Sequence, residues 1–153
     1  MTKYYSRNFD LPKRNKNKII FVIIHYTGMK KESEAIKRLC DPKSKVSSHY
    51  FIKYNGQVLN LVPDLYTAWH AGKSYWKKFK FLNKYSIGIE ISNPGHDHGY
   101  KKFSIKQINS IVKLLKLLKK RYNIKKQNIL GHSDIAPNRK KDPGEKFPWS
   151  KLA

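Results

Sequence analysis

The segment Gly131-His132-Ser133-Asp134-Ile135-Ala136-Pro137-Asn138-Arg139-Lys140-Lys141-Asp142-Pro143-Gly144 gathers a histidine, a lysine and an aspartate into one loop bracketed by prolines. These are parts of a hydrolytic zinc site, because catalytic zinc takes three protein ligands from His, Cys, Asp or Glu and leaves a fourth position for water. His132 and Asp142 would supply two of the three. The third candidate, His25, lies far upstream at the end of the apolar run Ile19-Ile20-Phe21-Val22-Ile23-Ile24. A run this short and β-branched reads as a strand buried on both faces, and ligands of open α/β sheets gather where such strands end. Ile129-Leu130-Gly131-His132 repeats the arrangement, so two histidines remote in sequence can converge on one ion. Taken singly, each histidine has a plainer reading as a capped strand-end residue; the Asp-bearing loop shifts the balance toward a metal.

The elements that must position these residues follow from periodicity and turn chemistry. Strands are predicted over 19–27, 86–91 and 128–132, and a short helix over 32–39. Strands over 48–54 and 57–62 flank Asn55-Gly56, a strong hairpin signal. The major helix is predicted over 104–122: Ser104 and Gln107 form a capping box, and Ile108, Ile111, Val112, Leu115, Leu118 and Tyr122 recur at helical spacing as a core stripe. Between the hairpin and the next strand, 63–84 reads as a long loop rich in Trp, Tyr, His and Lys, of the kind that serves as a lid or binding wall. Strands alternating with helices, with one hairpin inserted, predict an α/β fold: a mixed central sheet flanked by helices. The organisation expected is a basic, poorly patterned arm over 1–18 followed by one catalytic domain over 19–153.

Lys and Arg number 33 against 10 Asp and Glu, for a formal net charge of +23. Such a surface attracts polyanions, and charge alone does not choose between nucleic acid and an anionic cell-wall polymer. The lysines are scattered along the chain and no stacking motif of an RNA-binding fold is present, so no specific nucleic-acid partner is expected. Cys40 is a single thiol in a helical stretch, read as packed and fitting a reducing compartment. No apolar run reaches membrane-spanning length and residues 1–18 lack the hydrophobic core of a signal peptide. The expectation is a soluble, cytoplasmic monomer, or a periplasmic or exported one if a signal precedes this sequence.

Ile24-His25-Tyr26-Thr27, Val46-Ser47-Ser48-His49-Tyr50-Phe51-Ile52, Ala68-Trp69-His70-Ala71-Gly72, Ser86-Ile87-Gly88-Ile89-Glu90 and Gly131 through Gly144, followed by Phe147-Pro148-Trp149, together resemble the zinc-dependent N-acetylmuramoyl-L-alanine amidases, a family that includes phage lysozyme-type amidases and peptidoglycan recognition proteins. The matches run in order from about Ile19 to Trp149, nearly the whole chain. The resemblance implies one Zn²⁺ on His25, His132 and Asp142, Glu90 as general base and Lys140 as oxyanion stabiliser. The chemistry agrees: zinc lowers the pKa of its water to about 7, a carboxylate can take that water's proton and return it to the departing amine, and a fixed cation stabilises charge on the former carbonyl oxygen. Two positions apart in an extended loop, Lys140 and Asp142 would point to one side and Lys141 away.

Substrate contact is expected from Tyr26, Trp69, His70, Ala71 and Gly72, since aromatic faces pack on sugar rings and small residues admit a substrate to the backbone. His70 as a fourth ligand would close the site, so it is not counted among the ligands. His49 reads as structural, and His96 and His98 as part of a mobile surface loop. The implied reaction is hydrolysis of the amide between the lactyl group of N-acetylmuramic acid and L-alanine of the peptidoglycan stem peptide. His25-Tyr26-Thr27 is closer to broad-specificity members than to anhydro-selective recycling enzymes, which commonly have Asn after the His. A recognition-type binding module is the main rival, and it typically lacks a metal ligand.

Overall fold

The computed structural model describes residues 4–152. Among these, nine strands and three α-helices follow one another as β1 (Phe9–Asp10), β2 (Phe21–Tyr26), α1 (Glu32–Cys40), β3 (Tyr50–Ile52), β4 (Val58–Asn60), β5 (Thr67–Ala68), β6 (Tyr75–Trp76), β7 (Phe79–Lys80), β8 (Ser86–Ile91), α2 (Ile105–Tyr122), β9 (Ile129–Gly131) and α3 (His132–Ile135). Five strands form the central sheet in the order β4-β3-β8-β2-β9, with β4 antiparallel to β3 and the other neighbours parallel. The α/β plan expected from the sequence, a mixed sheet flanked by helices in one domain, is the one that forms.

The two-residue period of a strand decides which side chains meet. Val22 and Ile24 of β2 and Ile87, Ile89 and Ile91 of β8 face α2, where they pack on Ile111, Leu114, Leu115 and Leu118. Phe21 and Ile23 point to the opposite face, against Leu82, Leu130 and Ile135, and Phe51 packs there under Ala35, Ile36 and Leu39 of α1. Each such side chain contributes about 1.5–3 kcal/mol by leaving water, so a one-residue slip of β2 or β8 would be heavily opposed. By the same alternation His25 continues the Phe21–Ile23 face, and Glu90 points away from the α2 face. The parallel register sets His25 directly beside Glu90.

α2 starts at the predicted capping box: Ser104 Oγ accepts the Gln107 N–H (3.1 Å) and Gln107 Oε1 accepts the Ser104 N–H (3.0 Å). The hairpin is shorter than predicted, three residues per strand, because His49 leaves the ladder and accepts the Leu61 N–H at its carbonyl (2.8 Å).

Two segments differ more from expectation. The part of the basic arm within the described residues is woven into the fold: β1 pairs antiparallel with β5, and Ser6, Asn8 and Arg14 are buried. These polar side chains serve the backbone, as where Asn8 Nδ2 donates to the Asp41 and Val46 carbonyls (both 2.9 Å), and so leave no hydrophobic pattern. Residues 1–3 of that arm lie outside the described residues. The long loop over 63–84 holds β5 and the β6–β7 ribbon, anchored by buried Ala68, Ala71 and Leu82.

Candidate active site

His25 is carried on β2, and His132 opens α3 one residue after β9 ends, where the sequence predicts the last residue of a strand. Asp134 explains the difference: its Oδ2 accepts the Gly131 N–H (2.8 Å) and turns the chain into a helix. The following loop is turned, not extended. Lys140 N–H donates to the Ala136 carbonyl (2.9 Å), and Ser133 N–H to the Asp142 carbonyl (2.9 Å), folding the loop back on α3. His25 Nδ1 then lies 3.0 Å from His132 Nδ1 and 3.1 Å from Asp142 Oδ2, and His132 Nδ1 lies 3.2 Å from Asp142 Oδ2. All three residues are buried.

Proton accounting shows what these atoms are. A carbonyl only accepts, so His132 must donate Nε2–H to Ala71 O (2.9 Å), leaving Nδ1 with a bare lone pair. Ser86 Oγ–H donates to Leu82 O (2.7 Å), so Oγ can only accept from His70 Nε2–H (3.1 Å). His70 Nδ1 must then accept from His25 Nε2–H (3.0 Å), and His25 Nδ1 is bare as well. Burial, followed by the neighbouring histidines, holds His70 well below its ordinary pKa, which keeps this relay neutral. A Cβ at Gly88 would fall 2.3 Å from His70 Cγ, so the glycine of Ser86-Ile87-Gly88 is the seat of that ring.

Two bare imidazole nitrogens and a carboxylate oxygen 3.0–3.2 Å apart need something positive between them. A tetrahedral ion with ligands at 2.0–2.2 Å spaces them roughly 3.3–3.6 Å apart, so the donor set fits a small divalent metal with a few tenths of an ångström of adjustment. Each imidazole is oriented from behind, as metal-binding histidines usually are. The electrostatics agree: burial lowers His25 to about 4, so it is neutral at pH 7. The adjacent imidazoles of His132 and His25 hold Asp142 below the carboxylate range against the opposing effect of burial. Among the described residues this is the one cluster of three or more such groups able to hold a metal.

The triad opens into a cleft of about 420 Å³ that Glu90, Lys140, Tyr26 and Trp69 also line. Glu90 Oε2 is buried with no hydrogen-bond partner. Burial, then the charge of Asp142, pushes the Glu90 carboxyl well above its ordinary range, while Lys140 and Arg38 oppose the rise. A buried unpaired carboxylate oxygen needs an explanation, and a reacting group in the cleft provides one. Lys141 also borders the cleft, because the loop turns where an extended chain would have pointed it away.

The residues expected to touch substrate divide. Tyr26 lines the cleft with its hydroxyl 2.9 Å from His96 Nδ1, and Trp69 lines it with Nε1–H donating to Asp10 Oδ1 (3.0 Å). His70 sits behind His25 with both nitrogens committed, and the Ala71 side chain is buried while its carbonyl accepts from His132 and Arg139. His70 also borders the cleft, but its ring nitrogens are spent on His25 and Ser86, and Ala71 lies outside the cleft lining. Gly72 is exposed, beside the Arg139 guanidinium and outside the cleft lining. Arg38 and His96 do line the cleft. Arg38 carries no signal distinguishing it from other basic residues, and His96 reads from the sequence as surface loop.

Comparison with known proteins agrees with this geometry. The chain is 40% identical over 148 residues to the N-acetylmuramoyl-L-alanine amidase AmiD of Escherichia coli, a match covering 89% of this chain and 52% of AmiD. It is 31% identical to the 1,6-anhydro-N-acetylmuramyl-L-alanine amidase AmpD of Haemophilus influenzae, covering 95% and 86%. AmpDh3 of Pseudomonas aeruginosa, solved in complex with anhydromuramic pentapeptide, superposes with a TM-score of 0.83 at 32% identity, covering 99% of this chain and 65% of that one. AmiD, solved with anhydro-N-acetylmuramic acid-L-Ala-D-γ-Glu-L-Lys, gives 0.81 at 39% identity, covering 88% and 56%. The chain thus spans about half the length of AmiD. The N-acetylmuramoyl-L-alanine amidase family model matches residues 15–145, and the chain belongs to that family.

Proposed function

We propose that this chain hydrolyses the amide between the lactyl group of N-acetylmuramic acid and L-alanine of peptidoglycan stem peptides, with one Zn²⁺ held by His25 Nδ1, His132 Nδ1 and Asp142 Oδ2. The observation that carries it is the set of three acceptors, two of them bare imidazole nitrogens fixed from behind by the His70–Ser86 relay and by Ala71 O, beside a carboxylate with an unpaired oxygen. Zinc bound there would acidify a water and polarise the scissile carbonyl. Glu90 takes the proton from the attacking water and hands it to the departing amine; its raised pKa suits the second half of that task. Lys140 places a cation beside the oxygen on which negative charge develops. Tyr26 and Trp69 offer aromatic faces to the sugar or the lactyl arm. The anhydro-muropeptides bound by AmiD and AmpDh3 support a soluble muropeptide as substrate.

The test is removal of the metal. Dialysis against a chelator should abolish turnover of anhydro- and reducing-end muropeptides, followed by mass spectrometry of the released peptide and sugar, and one equivalent of Zn²⁺ should restore it. Undiminished turnover in rigorously metal-free protein would overturn the assignment. The ratio of the two products sets the sugar preference.

A further inference from the structure

The loop after β8 grips the segment that follows Asp142. Tyr100 Oη donates to Pro143 O (2.8 Å) and accepts the Lys146 N–H (3.0 Å), so one hydroxyl spans Gly144 and Glu145. The contact is close enough to dictate sequence: a Cβ at Gly144, where φ is +83°, would lie 2.4 Å from that hydroxyl and 2.8 Å from His96 Cε1. His96 stacks on the Tyr100 ring, centroids 4.2 Å apart at 26°, and donates Nε2–H to Glu145 Oε2 (2.9 Å). Its other nitrogen, Nδ1, receives the Tyr26 hydroxyl (2.9 Å), and Tyr26 adjoins His25 on β2. The contacts close a circuit. It runs from Asp142 through the Pro143–Glu145 backbone to Tyr100 and His96, then through Tyr26 back to the strand that carries His25.

We propose that Tyr100, assisted by His96, is a positioning residue that clamps the loop bearing Lys140 and Asp142 at its outer end. This inference rests on the metal-site assignment above and deepens it. On the inner side Asp142 is held by Ser133 N–H and by the Lys140 turn, and neither fixes the chain beyond Pro143. A ligand must sit within about 0.5 Å of its productive position; beyond Pro143 the next buried anchor is Phe147, packed on Phe103, so without the Tyr100 bonds the Asp142 oxygen is held less closely. The links differ in weight. The Glu145 side chain is 69% exposed and that of His96 23%, and a polar contact so open to water adds little. Tyr100 makes two backbone hydrogen bonds, so its hydroxyl carries most of the clamp.

The test uses the full chain loaded with zinc and reads metal affinity. Tyr100→Phe keeps the stacked ring and loses both hydrogen bonds; its zinc Kd, measured by competition with a chromophoric chelator, should rise about tenfold, as for other groups that orient a ligand indirectly. Its kcat should fall with KM unchanged, and the unfolding midpoint of the metal-free protein should barely move. Glu145→Gln, at an exposed position with no folding risk, should raise the Kd about two- to threefold. Wild-type zinc affinity in Tyr100→Phe, or a loss of affinity matched by an equal loss of metal-free stability, would overturn the clamp while leaving the zinc assignment intact. Failure of the wild-type chain to bind zinc at all would overturn both.

Discussion

Two buried polar clusters lie on opposite faces of the sheet, and they differ in how their hydrogen bonds are spent. On the α2 side, Asp64 accepts from Tyr50 Oη (2.7 Å), Tyr122 Oη (2.5 Å) and Arg121 Nη1 (3.0 Å), and its backbone carbonyl accepts from Arg14 Nη2 (2.8 Å). His49, between the two clusters, is equally committed: Nδ1 accepts the Gly88 N–H (3.0 Å) and Nε2–H donates to Tyr66 O (2.8 Å). Apart from Arg14 Nε, the buried polar side-chain atoms of this cluster have partners. On the other face, His25 Nδ1, His132 Nδ1 and Glu90 Oε2 have lone pairs with no proton to receive. Both clusters are built from His, Asp and aromatic residues. What separates a structural network from a site is the unsatisfied remainder.

The clusters share one property, neutral buried imidazoles, and it gives the largest expected effect. Burial is the first cause in each case, lowering His49 to about 3 and His25 to about 4, with His70 shifted in the same direction. The unfolded chain protonates these groups below about 6.5 while the folded chain does not. Stability is therefore complete above that pH and lost as pH falls toward the folded values. At about 1.4 kcal/mol per pH unit for each group, His25 and His49 together would cost the metal-free protein roughly 4 kcal/mol at pH 5. Urea midpoints at pH 7.5 and 5.0 in the presence of a chelator measure this. A midpoint that does not move would mean that the imidazoles are charged, and the proton accounting of the site would fail with them.

Glu90→Gln and Asp64→Ala should pull the clusters apart. The first removes a proton acceptor that no protein group uses, so turnover should fall about 10²- to 10⁴-fold while zinc content and thermal midpoint hold. The second leaves two tyrosine hydroxyls without their acceptor, at about 1–3 kcal/mol for each buried group stranded. Its melting temperature should fall by roughly 5–15 °C with kcat and zinc content near wild type. If Glu90→Gln were instead the destabilising change and Asp64→Ala the inactivating one, the distinction between the two clusters would be reversed.

The candidate ligands His25, His132 and Asp142 were legible in the sequence because each comes at the end of an apolar run or in a Pro-bracketed loop, and strand alternation alone puts His25 and Glu90 on one face. Three things were not. The Glu145 partner of His96 lies 49 residues away, so His96-Asp97-His98 reads as loose surface until the fold closes. His70, in a Trp-rich segment, suggests substrate contact, and only the position of Gly88 beneath its ring turns it inward. The arm over 4–18 is fixed by polar side chains serving distant carbonyls, a contribution with no periodic signature.

The smallest effect concerns the relay behind His25, the proposed ligand on β2. Ser86 Oγ accepts from His70 Nε2, and its own proton is fixed by Leu82 O. With Ser86→Ala, His70 Nε2–H loses its acceptor, and the tautomer in which Nδ1 carries the proton becomes competitive. That form would push a donor at His25 Nε2 and move the His25 proton to Nδ1, the atom that must be bare to bind zinc. Loss of such an outer partner typically weakens metal binding about 10- to 100-fold. Because the serine is small and the ring stays seated over Gly88, the lower end is expected, about tenfold in zinc Kd. Ser86→Thr, which restores a hydroxyl, should recover part of the affinity. An unchanged Kd in Ser86→Ala would show that His25 keeps its tautomer without the relay.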